Sequence, residues 1–113
     1  MDLPPIIKQN LEQLFVLCRR YRVNRLYAFG SVITNRFDPQ TSDLDFFVEL
    51  EPLPPLTRGE NLIGLWEGLE DLFKVKVDLI TDQPIKNPYL RASIHQSKKL
   101  IYEYIRLQPL SSA

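Results

Sequence analysis

The hydrophobic and polar positions of this chain follow two different periods, and the changes of period divide it into helices and strands. Apolar side chains that recur at helical spacing predict amphipathic helices, whereas short apolar or alternating runs predict strands. The predicted helices run from Pro4 to about Tyr21, from Arg58 to Phe73 and from Pro88 to about Ser97. The predicted strands are Val23–Phe29, Leu44–Leu50, Lys74–Thr81 and a short edge strand, Lys99–Tyr102. We therefore expect an α/β (α+β) fold in which helices pack on one small mixed sheet of about four strands.

The segments between these elements carry turn and helix-breaking residues. Glu51–Thr57 holds three prolines, which predict an irregular loop. An Asp-Pro turn signal lies in the polar loop Asn35–Ser42, and Ser31–Thr34 is expected to form a short helical turn. The C-terminal segment Glu103–Ala113 is more apolar than a free terminus needs, so we expect it to pack on the domain or on a partner.

Two aspartates open the second strand and are the first candidate for chemistry. Asp43 and Asp45 are two residues apart, so both carboxylates project from one side of the strand, while Leu44 and Phe46 project from the other. Two carboxylates held side by side repel each other and need a cation. Hard oxygen ligands on a rigid backbone suit Mg²⁺, which takes one or two carboxylates plus substrate phosphates.

A third aspartate lies in the third strand. Asp78 shares one face with Lys76 and Ile80, in a run that is otherwise apolar. Taken alone, Asp78 is more simply interpreted as a strand-end residue that bonds a nearby loop. Beside Asp43 and Asp45, it could complete a metal site and act as a general base.

Gly30 and Ser31 follow the first strand directly. They can offer backbone N–H groups and a hydroxyl to a phosphate chain. A phosphate-binding turn beside a carboxylate metal site is the minimum equipment for phosphoryl or nucleotidyl transfer.

Length and composition narrow the class of protein further. The 113 residues suit one compact domain, 1–113, and the fourteen basic and fourteen acidic residues cancel, which argues against dedicated nucleic-acid binding. Cys18 is the single cysteine, so no internal disulfide can form. No apolar run suits a membrane span or a signal peptide, and we expect a cytoplasmic protein.

The single tryptophan and the single histidine are expected to be structural. Trp66 falls on the apolar side of the second predicted helix and should lie in the core. His95 has no second imidazole or thiol at ligand spacing, so we expect it at the surface or at a helix end, without a catalytic role.

Three motifs together resemble a known family. FGS at Phe29–Ser31, SDLDFFVEL at Ser42–Leu50 and VKVDLIT at Val75–Thr81 are similar to the DNA polymerase β-like nucleotidyltransferase superfamily. More narrowly, the chain resembles the minimal nucleotidyltransferase (MNT) antitoxins of HEPN/MNT toxin–antitoxin pairs. The eleven residues Val32–Ser42 between the serine and the first aspartate are one more than is usual in the family. Since an extra loop residue costs little, it leaves the catalytic assignment intact.

The resemblance implies a role for each motif residue. Gly30 and Ser31 would hold the β- and γ-phosphates of ATP, and Arg36 would either neutralise phosphate charge or lie at the surface. Asp43, Asp45 and Asp78 would bind two Mg²⁺ ions. The acceptor implied by the relatives is a tyrosine of a HEPN-type ribonuclease toxin, to which AMP is transferred.

Three other interpretations stay open from the sequence. The chain could be a stand-alone small nucleotidyltransferase that acts on a small molecule or an RNA end. It could also be a catalytically idle antitoxin that acts by binding, although a pure binder has little reason to hold three acids together. In the last of these interpretations, the three acids coincide by chance on an α/β domain.

Overall fold

The computed structural model describes residues 3–34, 37–38, 40–81 and 88–104. The helices in these ranges are α1 (Pro5–Lys8), α2 (Leu11–Arg20), α3 (Pro55–Phe73) and α4 (Pro88–Ser97). The strands are β1 (Val23–Phe29), β2 (Leu44–Leu50), β3 (Val77–Thr81) and β4 (Lys99–Glu103), and a 3₁₀ turn covers Gly30–Val32. None of these helices is both long enough and apolar enough to cross a membrane.

The four strands of the described ranges form one mixed sheet in the order β3-β2-β1-β4. Strand β1 runs antiparallel to both β2 and β4, whereas β2 and β3 are parallel. The predicted small mixed sheet with an edge strand at Lys99 is therefore confirmed. The order also decides which strand ends meet: the end of β1 lies beside the starts of β2 and β3.

The sheet is covered on both faces, but unequally. One face carries the main core, in which Leu26, Leu44 and Phe46 pack with residues of α1, α2 and α3. The other face carries a smaller cluster in which Ile94 of α4 covers Phe29 and Phe47. Charged side chains share this second face, because Asp45 and Glu49 alternate along β2 with residues of the main core.

Two helix boundaries differ from the prediction. The first predicted helix is divided at Gln9 and Asn10, because Asn10 leaves helical geometry (φ −119°, ψ 19°) and its Nδ2 donates to the Ile6 carbonyl at 2.8 Å. The expected loop over the three prolines was wrong at its end, since α3 already begins at Pro55. A proline is tolerated at the first helical position because its missing N–H would have no partner there.

Two strand boundaries also differ. Strand β3 begins at Val77 and not at Lys74, because Lys74 adopts left-handed geometry (φ 59°) and terminates α3. Strand β4 extends one residue beyond the predicted end, to Glu103. The alternation on β3 holds nevertheless: Val77 and Leu79 contact the main core, and Ile80 contacts the smaller cluster.

The prediction that Trp66 lies in the core was wrong. Its residue is 40% exposed, and its Nε1–H donates to the Val77 carbonyl at 2.9 Å. The indole thus lies at the edge of the sheet, where a backbone acceptor of β3 satisfies its polar group. His95 is exposed, as expected for a surface residue.

Candidate active site

The candidate site is at the end of the sheet where β1 ends and β2 and β3 begin. Asp43 directly precedes β2, Asp45 is its second residue, and Asp78 is the second residue of β3. Gly30 follows β1 without an intervening residue. The sheet topology therefore brings the three predicted motifs together from three separate parts of the chain.

The three aspartates lie on one face of the sheet. Asp45 is registered opposite Asp78 across the β2–β3 pair, and registered residues of neighbouring strands point to the same face. Their neighbours Leu44 and Val77 point the other way and are buried in the main core. The arrangement on which the sequence hypothesis depended, with Asp78 beside Asp43 and Asp45, is the one observed.

The carboxyl group of Asp45 has a raised pKa. Its pKa is raised from the ordinary 3.8 to about 6, first because burial disfavours the charged form, and then because the carboxylates of Asp78 and Asp43 repel a further negative charge. The three carboxyl groups are therefore close enough to repel one another, and a cation bound among them would be stabilised.

Gly30 lies directly against the Asp45 carboxylate. The residue has φ +76°, and a Cβ added there would overlap Asp45 Oδ2. Both its positive φ and the close approach require glycine at this position. The next residue, Ser31, is partly exposed in the 3₁₀ turn, and its carbonyl accepts the Thr34 Oγ1 hydroxyl at 3.2 Å.

The loop before Asp43 contains a tight turn. The Asp38 carbonyl accepts the N–H groups of Thr41 and Ser42, at 3.1 and 2.7 Å. The Ser42 hydroxyl in return accepts the Asp38 N–H at 3.1 Å. The predicted turn in this loop is therefore present, whereas Arg36 lies outside the described residues.

One charged neighbour of the acids had no role in the sequence hypothesis. Lys76 Nζ lies 4.0 Å from Asp43 Oδ2, and the two side chains are 77% and 44% exposed. Because Lys76 lies two residues before Asp78, strand alternation already placed the two side chains on the same face in the sequence analysis. What alternation alone could not give was the register that places Lys76 opposite Asp43.

The donor set fits Mg²⁺ held together with a substrate. Within the described ranges, no three carboxylate, imidazole or thiol groups converge tightly enough to hold a metal ion by themselves. Magnesium ordinarily takes one or two carboxylates and completes its octahedron with waters and substrate phosphates. The mutual repulsion at Asp45 and the Gly30 backbone beside it suit an ion that arrives with a phosphate chain.

Comparison with known sequences gives a consistent result. Residues 12–101 match the family model described as "Nucleotidyltransferase domain". A Methanocaldococcus jannaschii protein named "Putative protein adenylyltransferase MJ0126" is 40% identical over 87 residues, covering 76% of this chain and 82% of that protein. Another protein of the same organism, "Putative protein adenylyltransferase MJ1217", is 39% identical over 88 residues, covering 77% and 83%.

Solved structures share the fold. The "Structure of putative minimal nucleotidyltransferase" superposes with a TM-score of 0.66 at 28% identity, covering 82% of this chain and 90% of that chain. The "Crystal structure of the toxin-antitoxin with AMP-PNP" has a TM-score of 0.62 at 21% identity, covering 84% and 74%. The predicted fold is thereby confirmed.

Proposed function

Because this chain belongs to the nucleotidyltransferase family, we propose that it transfers AMP from ATP to a protein hydroxyl in a Mg²⁺-dependent reaction. We propose further that the acceptor is a tyrosine of a HEPN-type ribonuclease toxin, for which the chain is the antitoxin. The observation that carries the proposal is the meeting of Asp43, Asp45 and Asp78 on one sheet face, with the Gly30 backbone against Asp45.

The proposed roles follow from position in the site. Gly30 and Ser31 hold the β- and γ-phosphates, and Asp43, Asp45 and Asp78 hold two Mg²⁺ ions. Bound Mg²⁺ would neutralise the phosphate charge and polarise the reacting phosphoryl group. Arg36, which lies outside the described residues, stays a predicted phosphate contact.

The reaction needs one proton acceptor and one leaving group. Asp78 is exposed at the rim of the site, where it can take the proton of an incoming hydroxyl. The hydroxyl oxygen bonds to the α-phosphorus, the bond from that phosphorus to the bridging oxygen breaks, and pyrophosphate leaves. AMP remains on the acceptor. We propose that the reaction takes place in the cytoplasm, which is consistent with ATP as the donor.

Two observations support a protein as the acceptor. The relatives at about 40% identity carry names of protein adenylyltransferases, and a neighbour in fold is a toxin–antitoxin structure with AMP-PNP. The site itself is open, since Asp78 is exposed and the Asp43 side chain is 44% exposed. An acceptor side chain on the surface of another protein can reach such a site without entering a deep pocket.

Incubation with α-labelled ATP and Mg²⁺, with and without the proposed toxin, tests this function. We expect label on a toxin tyrosine, lost in Asp43→Asn and Asp45→Asn but retained in Asp71→Asn. Asp71 is a matched control because it is an exposed aspartate on α3, which packs on the other face of the sheet. Label on a small molecule or RNA would contradict the proposed protein acceptor. Tight binding to the toxin without label would contradict the proposed transfer reaction.

A further inference from the structure

Lys76 forms the one oppositely charged cross-strand pair in the candidate site as the structure describes it. Asp45 faces Asp78, a like-charged pair, and one step toward the strand starts Asp43 faces Lys76, an opposite-charged pair. The Lys76 carbonyl accepts the Leu44 N–H at 2.9 Å, which fixes the lysine backbone beside Asp43 even though β3 begins one residue later. The sheet register therefore places the Lys76 backbone beside Asp43, from where its ammonium can reach the Asp43 carboxylate.

We propose that Lys76 is the resident counter-cation of the acid site and sets the metal concentration at which the site loads. This inference rests on the proposed function, because it assumes that Asp43 is a metal ligand. In this proposal the Lys76 ammonium pairs with the Asp43 carboxylate in the metal-free protein and moves away when a divalent ion binds.

The geometry suits a displaceable cation. At 4.0 Å, with the lysine side chain 77% exposed, the pair is weak and mobile enough to be broken by a competing ion. A divalent ion on Asp43 would lie within a few ångströms of the ammonium and be repelled by it. Removing the positive charge should therefore tighten metal binding, whereas removing a lysine that binds substrate would not.

Mn²⁺ binding to the full chain saturated with a non-hydrolysable ATP analogue, followed by electron paramagnetic resonance, tests the proposal. For Lys76→Met, we expect the dissociation constant to fall by roughly tenfold at low ionic strength, as Coulomb repulsion between a single and a double positive charge about 6 Å apart in a water-like dielectric predicts. The difference should shrink as salt is raised, because salt screens exposed charges. Lys76→Arg, which keeps the charge, should bind Mn²⁺ like the wild type.

Lys8→Met is the control for a general change in net charge. Lys8 is exposed on α1, whose Ile7 packs in the main core on the other sheet face. Its removal should leave the Mn²⁺ dissociation constant unchanged. Equal tightening in Lys8→Met would overturn the local role of Lys76.

The possible outcomes separate this inference from the proposed function. Unchanged or weaker Mn²⁺ binding in Lys76→Met, with wild-type binding that Asp43→Asn abolishes, overturns the role of Lys76 alone. Wild-type protein that binds no Mn²⁺, or binds it equally well as Asp43→Asn, overturns the metal site and this inference together. Melting curves in EDTA confirm for each variant that a changed dissociation constant comes from folded protein.

Discussion

The carboxylate of Asp45 lies against the Gly30 backbone and is repelled by the carboxylates of Asp78 and Asp43. Its spacing from Asp43 predicted a shared face, because alternation along a strand is a local property. The contact between its carboxylate and the Gly30 backbone depends on the antiparallel register that places Phe29 opposite Asp45. That register is set by packing between distant segments and could not be predicted from spacing alone.

The raised pKa of Asp45 predicts a pH-dependent stability in EDTA. The folded protein holds this proton more tightly than the unfolded chain, so this contribution to the free energy of unfolding falls as pH rises from 3.8 to about 6, and it stays low above that. Asp45→Asn removes the charge and should raise the free energy of unfolding at pH 7 by about 1 kcal/mol, allowing for solvent screening.

Urea titrations at several pH values measure this effect. The difference between Asp45→Asn and the wild type should be small at pH 4 and largest above pH 6. A difference that does not change across this interval would show that burial and the neighbouring carboxylates do not perturb Asp45 in solution.

Gly30→Ala tests the close approach at the phosphate-binding turn. The added Cβ would overlap the Asp45 carboxylate and strain a backbone at φ +76°, so we expect a loss of about 1–3 kcal/mol of stability. Nucleotide affinity should fall as well, because Asp45 must move. Chemical denaturation measures the first effect and calorimetric titration with a non-hydrolysable ATP analogue the second; an alanine variant that behaves like the wild type in both would contradict the geometry.

At the scale of elements, the kinds of helix and strand were predictable and several of their ends were not. The amphipathic period of α2 and α3 is local, whereas the break at Asn10 depends on a side-chain bond to Ile6 that the apolar pattern does not record. The position of Trp66 at the sheet edge likewise depends on a tertiary contact, since its Nε1–H donates to the Val77 carbonyl of β3. The sequence pattern is the same whether an aromatic side chain on the apolar face of a helix lies in the core or at the edge of the sheet.

The packing of α3 on α2 relies on two helical glycines. A Cβ at Gly64 would overlap the Tyr21 ring, and one at Gly68 would lie 2.7 Å from Leu17 Cδ2, whereas one at Gly59 would meet nothing within 4 Å. We expect Gly64→Ala to destabilise the fold by about 1 kcal/mol, because overpacking against the rigid Tyr21 ring exceeds the gain in helix propensity. Gly59→Ala should instead stabilise it by about 0.5–1 kcal/mol, because alanine is the better helix former.

Thermal unfolding of these two variants is a matched comparison, since the same substitution is made in the same helix. Opposite shifts of the melting temperature are expected. Two shifts of the same sign would show that the packing of α3 against Tyr21 does not require a glycine at position 64.

At the scale of the whole molecule, the function depends on the order of the strands. The predicted mixed sheet did not specify which strand pairs with which, so the sequence could not place Asp78 beside Asp45 without the family resemblance. The parallel pairing of β2 and β3 decides this, because it brings the starts of both strands to the end of β1. With any other neighbour for β3, the same residues would lie apart.

The most direct test of this account is whether Asp45 and Asp78 belong to one binding site. Calorimetric titration with a non-hydrolysable ATP analogue and Mn²⁺ can be made on Asp45→Asn, Asp78→Asn and the double variant. We predict that each single variant weakens binding by about tenfold or more and that the double variant loses much less than the product of the two, because groups in one site are not additive. Asp78→Asn with wild-type affinity, or losses that multiply as for independent positions, would show that acids from these two strands do not form a single metal–nucleotide site.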